Sequence, residues 1–498
     1  MHFNRVIVDV DSFFQFPSLK NSLISFIDFI SNQSNLNVIL LERGEGSLKL
    51  INSFLSNEKL KANVCKLRIE QISELNKECS ILITSKEDSQ LLSRVSSALL
   101  VGLRTDVPNG SKYLLVNDFQ AVREMFIPEY SSNIHKLLSK NTDILKRELL
   151  NKYKLNINHL NDVLIFGAQN LGAKLLEQFE RAGINVIGFI DNDKRKIGSE
   201  FKGKVVYSLD DISNQHMIVV ASTTYLGEIM KQLKDLNYSH AIPCQILPLC
   251  FKELFPDIEP AFSGIHEDLT ENRDKYLNLF FSLDDSESKK VLNNLIGFRF
   301  HIDPFLLKPS FKEEYFDEDL LILKDKEVFV DGGGCKGAVT AKFISKVKNF
   351  KSVYVFEPDK SLVMQMRKVF SDYKNIHIVG KGLYSENKVA YFNATGGLDG
   401  SISITGTEKV ELVKLDDFLT VVPTFIKLDV EGAELQVLHG AKNHIKQSKP
   451  KMAIALYHQP SDLWKLPEAI IKMNPEYKFY LRHYSDSIFE TILYCIPE

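Results

Sequence analysis

Apolar and polar positions follow two different periods along most of the chain. Short apolar runs such as RVIVDV and NVILLE are typical of buried strands. Between these runs, segments such as SLKNSLISFIDFI carry apolar residues three and four positions apart, which predicts amphipathic helices. Strands that alternate with helices predict a parallel sheet covered by helices, so we expect an α/β fold.

Three blocks of this alternation are separated by segments without strand-like runs. We predict three successive Rossmann-like α/β domains, the first two joined by a polar helical linker. Before the last domain the pattern becomes helical and is interrupted by Pro304 and Pro309, which predicts a helical insert. The predicted boundaries are 1–130 for the first domain, 131–160 for the linker, 161–250 for the second domain, 251–320 for the insert and 321–498 for the third domain.

Composition excludes several classes of protein. With 498 residues, of which 44% are hydrophobic, the chain is long enough for several cores. A net charge of -3 gives no electrostatic reason to expect a nucleic-acid partner. Runs of about 18 apolar residues are absent, so we predict no membrane span and expect a cytoplasmic protein. The 6 cysteines include no CxxC pair, which argues against a zinc site or a disulfide framework.

The third block opens with a glycine-rich loop directly behind a strand, VDGGGCKG. The loop matches G-x-G-x-x-G, although a plain tight turn would explain it too. Asp331 ends the strand before the glycines, where a carboxylate can accept hydrogen bonds from an ammonium group. Glu357 ends the next strand, where an acid can accept both hydroxyls of a ribose. Together the two acids suit S-adenosylmethionine better than a dinucleotide.

Later strands of this block also end in reactive groups. FIKLDVEGAE places Asp429 at a strand end, followed by Glu431 and Glu434, although acids at a helix start are also stabilised by the helix dipole. His458 follows the next strand and could remove a hydroxyl proton, bind substrate or complete a turn. We take His458, Asp429 and Glu431 as candidate catalytic residues. Asp429 and Glu431 could alternatively hold a divalent cation that orients a diol, but we predict no metal requirement.

In chain order, the segments VDGGGCKG, FEPD, GLYSENKVAYFNATGGLDGSIS, VELVKLDDF, FIKLDVEGAELQVLHGA and YKFYLRHY resemble the FkbM family of S-adenosylmethionine-dependent methyltransferases. The resemblance covers residues 318–498 and implies a class I methyltransferase fold. It also implies O-methylation, commonly of a sugar hydroxyl in a polysaccharide, glycolipid or secondary metabolite. Cys335 departs from the family, which usually has a small polar residue there.

Motif position in this family implies a role for each part of the site. The glycine loop and Asp331 would hold the methionine end of the cofactor, Glu357 the ribose, and the segment after the third strand the adenine side. Asp429 would line the inner crevice, and the loop at 393–403 would be a lid, an acceptor contact or a mobile connector. The implied cofactor-binding residues are Asp331, Gly332, Gly333, Gly334, Gly337, Glu357, Pro358, Lys381, Gly382, Leu383 and Asp429.

The second block carries a weaker signal. FGAQNLG keeps Gly167 and Gly172 but has Gln169 at the second glycine position, and Asp191 ends the following strand. This block resembles the small Rossmann-like domains of enzymes that modify sugar nucleotides. We therefore predict either a nucleotide site at Gly167, Gly172 and Asp191 or a scaffold that keeps only the fold.

The first block opens with VIVDVD, and its Asp9 and Asp11 resemble the paired aspartates of haloacid dehalogenase-like phosphatases. Thr84 and Ser85 stand where that family usually has a glycine and a magnesium-binding aspartate. Without that carboxylate a magnesium site is short of ligands. We expect a degenerate, non-catalytic copy.

Three functions remain open from the sequence. The first is a methyltransferase that uses S-adenosyl-L-methionine and acts on a sugar or glycan acceptor. The second is a protein that binds or modifies a nucleotide sugar through the middle domain. The third is a non-catalytic assembly scaffold, whose helical insert mediates homo-oligomerisation. A nucleotide sugar and a second copy of the chain are thus further candidate partners.

Overall fold

The computed structural model describes six strands before residue 116 and residues 130–497, except 158–159, 161, 257–258, 394–400 and 403–407. Asp11, Ser85 and most of the loop at 393–403 lie outside the described residues. The chain forms two compact units, Met1–Ser132 and Asn133–Glu498. No helix in the described part of the chain is long and apolar enough to cross a bilayer.

The first unit contains one parallel sheet. Its strands are β1 (Arg5–Asp9), β2 (Asn37–Glu42), β3 (Val64–Arg68), β4 (Ser80–Thr84), β5 (Leu99–Gly102) and β6 (Tyr113–Leu115). They pair in the order β3-β2-β1-β4-β5-β6, and every pairing is parallel. This order has the first strand at its centre and is that of a Rossmann-like sheet. The resemblance to phosphatases stays a prediction.

The second unit begins its sheets after two helices. The elements in this part are α1 (Tyr130–Leu138), α2 (Thr142–Lys152), β7 (Val163–Phe166), α3 (Asn170–Arg181), β8 (Val186–Ile190), β9 (Glu200–Phe201), β10 (Lys204–Tyr207), β11 (Ile218–Val220), α4 (Leu226–Asp235), β12 (Ala241–Pro243) and α5 (Ile246–Phe251). The strands pair in the order β12-β11-β7-β8-β10-β9, parallel except for β9 against β10. Each residue of β7 is buried, as expected for a central parallel strand.

A helical segment follows, with α6 (Ile265–Glu271), α7 (Arg273–Ser282) and α8 (Ser286–His301). Asp285 caps α8 by accepting from the Ser288 amide at 2.7 Å. The same carboxylate pairs with Arg482 of the last sheet at 2.7 Å, and Lys275 pairs with Glu468 at 2.5 Å. The helices are therefore fastened to the last domain by charged contacts.

The last domain contains a large and a small sheet. Its elements are β13 (Val328–Gly332), α9 (Ala338–Lys346), β14 (Ser352–Phe356), α10 (Lys360–Val369), β15 (Ile376–Val379), β16 (Gly382–Leu383), β17 (Lys388–Asn393), β18 (Ser401–Ile402), β19 (Glu408–Val413), α11 (Leu415–Phe418), β20 (Phe425–Leu428), α12 (Glu434–Gly440), β21 (Lys451–Ala455), α13 (Asp462–Met473), β22 (Tyr477–His483) and β23 (Thr491–Pro497). The large sheet has the order β15-β14-β13-β20-β21-β23-β22, with β23 antiparallel to both neighbours. The small sheet has the order β16-β19-β17-β18.

Aromatic side chains fix the centre of the large sheet. The ring of Phe329 in β13 stacks on Phe343 at 4.5 Å and on Phe425 at 4.8 Å between centroids, and all three are fully buried. Such packing holds β13, α9 and β20 in one arrangement. The predicted α/β class, with successive parallel-rich sheets and a helical segment before the last one, is confirmed.

Candidate active site

Four neighbouring strands of the large sheet end at one edge. Gly332 at the end of β13 lies opposite Phe356 of β14 and Leu428 of β20, and Leu428 lies opposite Ile454 of β21. Residues that follow these positions directly must therefore meet at the carboxyl edge of the sheet, where open α/β sheets bind their ligands. The acids predicted from the sequence are at or just beyond these strand ends.

The glycine loop packs tightly against its own sheet. A Cβ at Gly333, whose φ is 78°, would lie 1.8 Å from the Asp429 carbonyl oxygen. At Gly334 it would lie 2.2 Å from Val355 Cγ1, and at Gly337, with φ of 81°, 2.6 Å from Phe370 Cε2. These glycines let the loop backbone lie directly on strands β14 and β20. The same packing brings the loop beside Asp429.

The side chain of Asp331 is fully buried and contacts other side chains of the domain. One carboxylate oxygen accepts from the Thr340 hydroxyl at 2.7 Å, and the other lies 3.3 Å from the ammonium of Lys427. Lys427, itself 2% exposed, also donates to the carbonyl oxygen of Gly333 at 2.7 Å and to that of Gly332 at 3.3 Å. The direct contact between Asp331 and the cofactor stays a prediction, and in the structure Lys427 is the cation that approaches this carboxylate.

Lys427 is the central cation of this region. Burial alone would lower the pKa of its ammonium, but the charges of Asp331 and Asp429 raise it above its usual range. The lysine is therefore charged and ties the glycine loop to β20. Sequence reasoning missed it because a lysine inside the apolar run FIKL has no motif of its own.

Glu357 is hydrogen-bonded to the glycine loop. Its carboxylate accepts from the Cys335 amide and from the Asp359 amide, both at 2.9 Å, and burial raises its pKa. Two bonds leave a carboxylate with further lone pairs for hydroxyl donors. Because the Cys335 contact comes from its backbone, the departure from the family residue at this position leaves this bond intact.

One of the residues predicted for the adenine side, Lys381, borders a cavity. Gly382 and Leu383 form the buried strand β16, and Lys381 pairs with Glu411 at 2.6 Å. A cavity of about 430 Å³ opens beside Lys381, with Glu411 and Phe418 in its lining. A Cβ on Gly382 would lie 3.9 Å from Pro358, so both predicted segments approach the same place.

The catalytic candidates surround one imidazole. His458 Nε2 lies 3.3 Å from Glu431 and 3.5 Å from Asp429, and Nδ1 lies 3.1 Å from Glu434. Burial alone would lower the pKa of His458, but the carboxylates of Glu431 and Glu434, with Asp429 nearby, raise it to about 11. A protonated imidazole donates protons and cannot accept one. The arrangement therefore favours a carboxylate over His458 as the predicted base.

Two tyrosines orient Asp429. Tyr315 donates to one carboxylate oxygen and Tyr457 to the other, each at 3.0 Å. Tyr315 comes from the segment that the sequence assigned to the helical insert. Its contact with Asp429, 114 residues further along the chain, was therefore not predictable from local pattern. Tyr457 directly precedes His458 and could have been noticed in the run ALYH.

The predicted nucleotide residues of the middle domain form a separate, closed arrangement. A Cβ at Gly172 would lie 2.0 Å from the Gly167 carbonyl oxygen, so this glycine serves the contact between α3 and its strand. Asp191 accepts from the Ala168 amide at 3.0 Å and pairs with Lys196 at 2.8 Å. Its carboxylate is therefore already neutralised within the domain.

Comparison with known families identifies the last domain. Residues 331–483 match the family model described as the Methyltransferase FkbM domain. This segment is an FkbM methyltransferase domain. Residues 159–242, in the middle domain, match a second model described as C2185-like, N-terminal. The search of curated proteins gave no significant match.

Solved structures of methyltransferases align with parts of this chain. The crystal structure of methyltransferase FkbM from Methylobacillus flagellatus KT aligns with a TM-score of 0.61 and 21% identity, covering 74% of this chain and 100% of that chain. The shared fold therefore extends beyond the FkbM domain, and the predicted methyltransferase fold is confirmed. An rRNA methylase from Streptococcus thermophilus aligns with a TM-score of 0.25 and 16% identity, over 36% of this chain and 89% of its own. Fibrillarin from Aeropyrum pernix, in complex with natively bound S-adenosyl-L-methionine, has a TM-score of 0.25 and 14% identity, over 35% of this chain and 69% of its own.

Proposed function

We propose that this chain is an S-adenosylmethionine-dependent O-methyltransferase that acts on a sugar hydroxyl, in a polysaccharide, a glycolipid or a secondary metabolite. One observation carries the proposal. The glycine loop, with Glu357 closing it, lies beside the acids around Asp429 at the carboxyl edge of one parallel sheet. A cofactor held by the loop would place its reactive end next to those acids.

The residues present suit this cofactor. Glu357 keeps free lone pairs for two ribose hydroxyls, and the cavity beside Lys381 offers room on the adenine side. The crevice also carries more carboxylates than cations, which suits a positively charged sulfur. S-adenosylmethionine supplies a methyl group on that sulfur, activated for transfer to an oxygen.

The chain itself must position the acceptor and take up its proton. Transfer in line needs the hydroxyl oxygen held at the methyl carbon, and the proton must leave as the new carbon–oxygen bond forms. Glu431 is the acid of this cluster with the most exposed side chain, at 36%, and burial raises its pKa. We assign the proton to Glu431, while His458 holds the neighbouring carboxylates in place.

The cofactor assignment is tested by calorimetry with S-adenosylmethionine on the full chain. We expect one binding event that weakens by about 10-fold or more in Glu357→Gln, because a charged acceptor of two hydroxyls is lost. Glu253→Gln is the control, since Glu253 is exposed and lies just after α5, outside the site. Equal affinity in the wild type and Glu357→Gln would remove the ribose assignment.

Transfer itself is tested with a labelled methyl group and a panel of glycans and sugar nucleotides. For an accepted substrate, Glu431→Gln should lower kcat by about 10²–10⁴-fold with little change in KM, as expected for loss of a general base. An unchanged kcat would exclude Glu431 as the base. Methylation of amines but not of sugar hydroxyls would contradict the proposed acceptor class.

A further inference from the structure

Three side chains of the active site are close enough together to bind one metal ion. Asp429, Glu434 and His458 each offer one ligand atom, and these atoms lie within 4.8 Å of one another. They come from two adjacent strand ends, Asp429 and Glu434 after β20 and His458 after β21. The set therefore lies directly beside the glycine loop, where the acceptor hydroxyl has to be held.

One member of the set is buried without a complete set of partners. Glu434 is 1% exposed, and its Oε1 accepts from the Val430 amide at 2.8 Å. Its Oε2 has no hydrogen-bond partner among the described residues, and the 3.1 Å contact of Glu434 Oε1 with Nδ1 of His458 lacks the geometry of a hydrogen bond. A buried carboxylate oxygen without a donor is costly, so this atom indicates a cation that it would contact.

Charge around the set points the same way. Asp429, Glu431, Glu434 and Asp462 approach His458. Two further cations lie nearby: Lys427, which donates to a loop carbonyl oxygen and lies 3.9 Å from Asp429, and Arg299, which acts on Asp462. Carboxylates thus outnumber cations here. Asp429 also accepts hydrogen bonds from two tyrosines, and metal-binding carboxylates are commonly oriented by such outer hydrogen bonds.

We propose that Asp429, Glu434 and His458 bind a divalent transition-metal ion, which holds two neighbouring hydroxyls of the acceptor beside the methyl donor. An imidazole with two carboxylates suits Mn²⁺ or Zn²⁺ better than Mg²⁺ or Ca²⁺, which favour oxygen ligands alone. The ion would replace the proton on His458, and Glu431 would stay free to act as the base. This inference rests on the proposed function for the role of the ion but not for its binding.

The binding test uses Mn²⁺ itself, followed by electron paramagnetic resonance and calorimetry on the full chain. We expect saturable binding of one ion, weakened in Glu434→Gln and in His458→Asn by at least the roughly 10–100-fold that loss of an outer hydrogen-bond partner costs a metal site. His439→Asn is the matched control, because His439 is exposed on the same helix as Glu434. Circular dichroism should stay unchanged in both variants, which would show that the domain is folded.

Two results would overturn the metal site. One is no saturable Mn²⁺ binding with or without S-adenosylmethionine, which would mean that the cofactor's own charge is the cation that this cluster needs. The other is binding that neither substitution weakens, which would place the ion elsewhere. If Mn²⁺ binds as expected while S-adenosylmethionine does not, the proposed function fails and the metal site stands.

Discussion

The middle domain and the FkbM domain both place an acid at the end of the strand that follows a glycine turn, but they surround it differently. In the middle domain Asp191 accepts from two backbone amides and also pairs with Lys196. In the FkbM domain Glu357 accepts from two backbone amides and forms no ion pair within the described part of the chain. The same sequence pattern thus gives a neutralised carboxylate in one domain and an available one in the other.

The two domains also use their lysines differently. Lys196 lies five positions after Asp191 in sequence and has a side chain that is 29% exposed. Lys427 lies in β20 and is almost fully buried. It pairs with Asp331 and donates to the glycine loop rather than contacting Glu357. The difference teaches that an acid at a strand end is available for a ligand only if the nearest cation is committed elsewhere.

The largest expected effect comes from the glycine that brings the loop and β20 together. Gly333→Ala should destabilise the FkbM domain by about 5 kcal/mol or prevent its folding, because the new Cβ would meet the Asp429 carbonyl and the backbone has a left-handed conformation. Trp464, the 1 tryptophan of the chain, lies in this domain, so its fluorescence in a urea titration reports the loss.

Gly203→Ala in the middle domain separates the cost of the left-handed backbone from the cost of the steric contact. Gly203 has φ of 75° but nothing within 4 Å of its Cβ position, so only the backbone conformation is penalised, by about 1 kcal/mol. Similar losses for the two variants, each followed in its own domain, would mean that close contact with β20 does not explain Gly333.

The second effect concerns the two lysines. Lys427→Met should cost about 3–5 kcal/mol, since it leaves the Asp331 carboxylate buried and unpaired. Lys196→Met should cost about 1 kcal/mol or less, because that pair is partly exposed to water. Urea unfolding, followed by Trp464 fluorescence for the first variant and by circular dichroism for the second, measures both.

A double variant checks that Lys427 acts through Asp331. Lys427→Met with Asp331→Asn should recover part of the lost stability, because no unpaired charge then remains in the interior. If the double variant is as unstable as the sum of the single ones, the lysine acts mainly through the loop carbonyls of Gly332 and Gly333.

Much of the fold could be predicted from local pattern. Apolar runs such as EVFV and TFIKL, each followed by a helical period, identified the strands of parallel sheets, because a strand covered on both faces is apolar throughout. The positions of Glu357 and Asp429 followed from the same rule, since ligand-facing residues come directly after such strands.

The rest of the site depends on contacts that no local pattern encodes. Tyr315 reaches Asp429 from a segment before the domain, and Lys427 interrupts an apolar strand where a buried cation would normally be unfavourable. The raised pKa of His458, which follows β21, arises from acids that follow the neighbouring strand β20. These features depend on how strand ends meet in space, which local sequence pattern does not encode.

The smallest expected effect concerns the pH dependence of stability. Besides His458, whose pKa is raised by nearby carboxylates, the FkbM domain buries a second imidazole whose pKa is lowered by burial. His483 in β22 is 2% exposed, and burial lowers its pKa to about 4, against 6.5 in the unfolded chain. The folded state then binds this proton less readily, so its contribution to stability is present above pH 6.5 and is lost as the pH falls toward 4. Relative to His483→Asn, the wild type should lose about 3 kcal/mol over that window, measured by Trp464 fluorescence in urea at each pH. His439→Asn, at an exposed position, should follow the wild type throughout, and parallel curves for His483→Asn and the wild type would show that this imidazole is protonated in the fold.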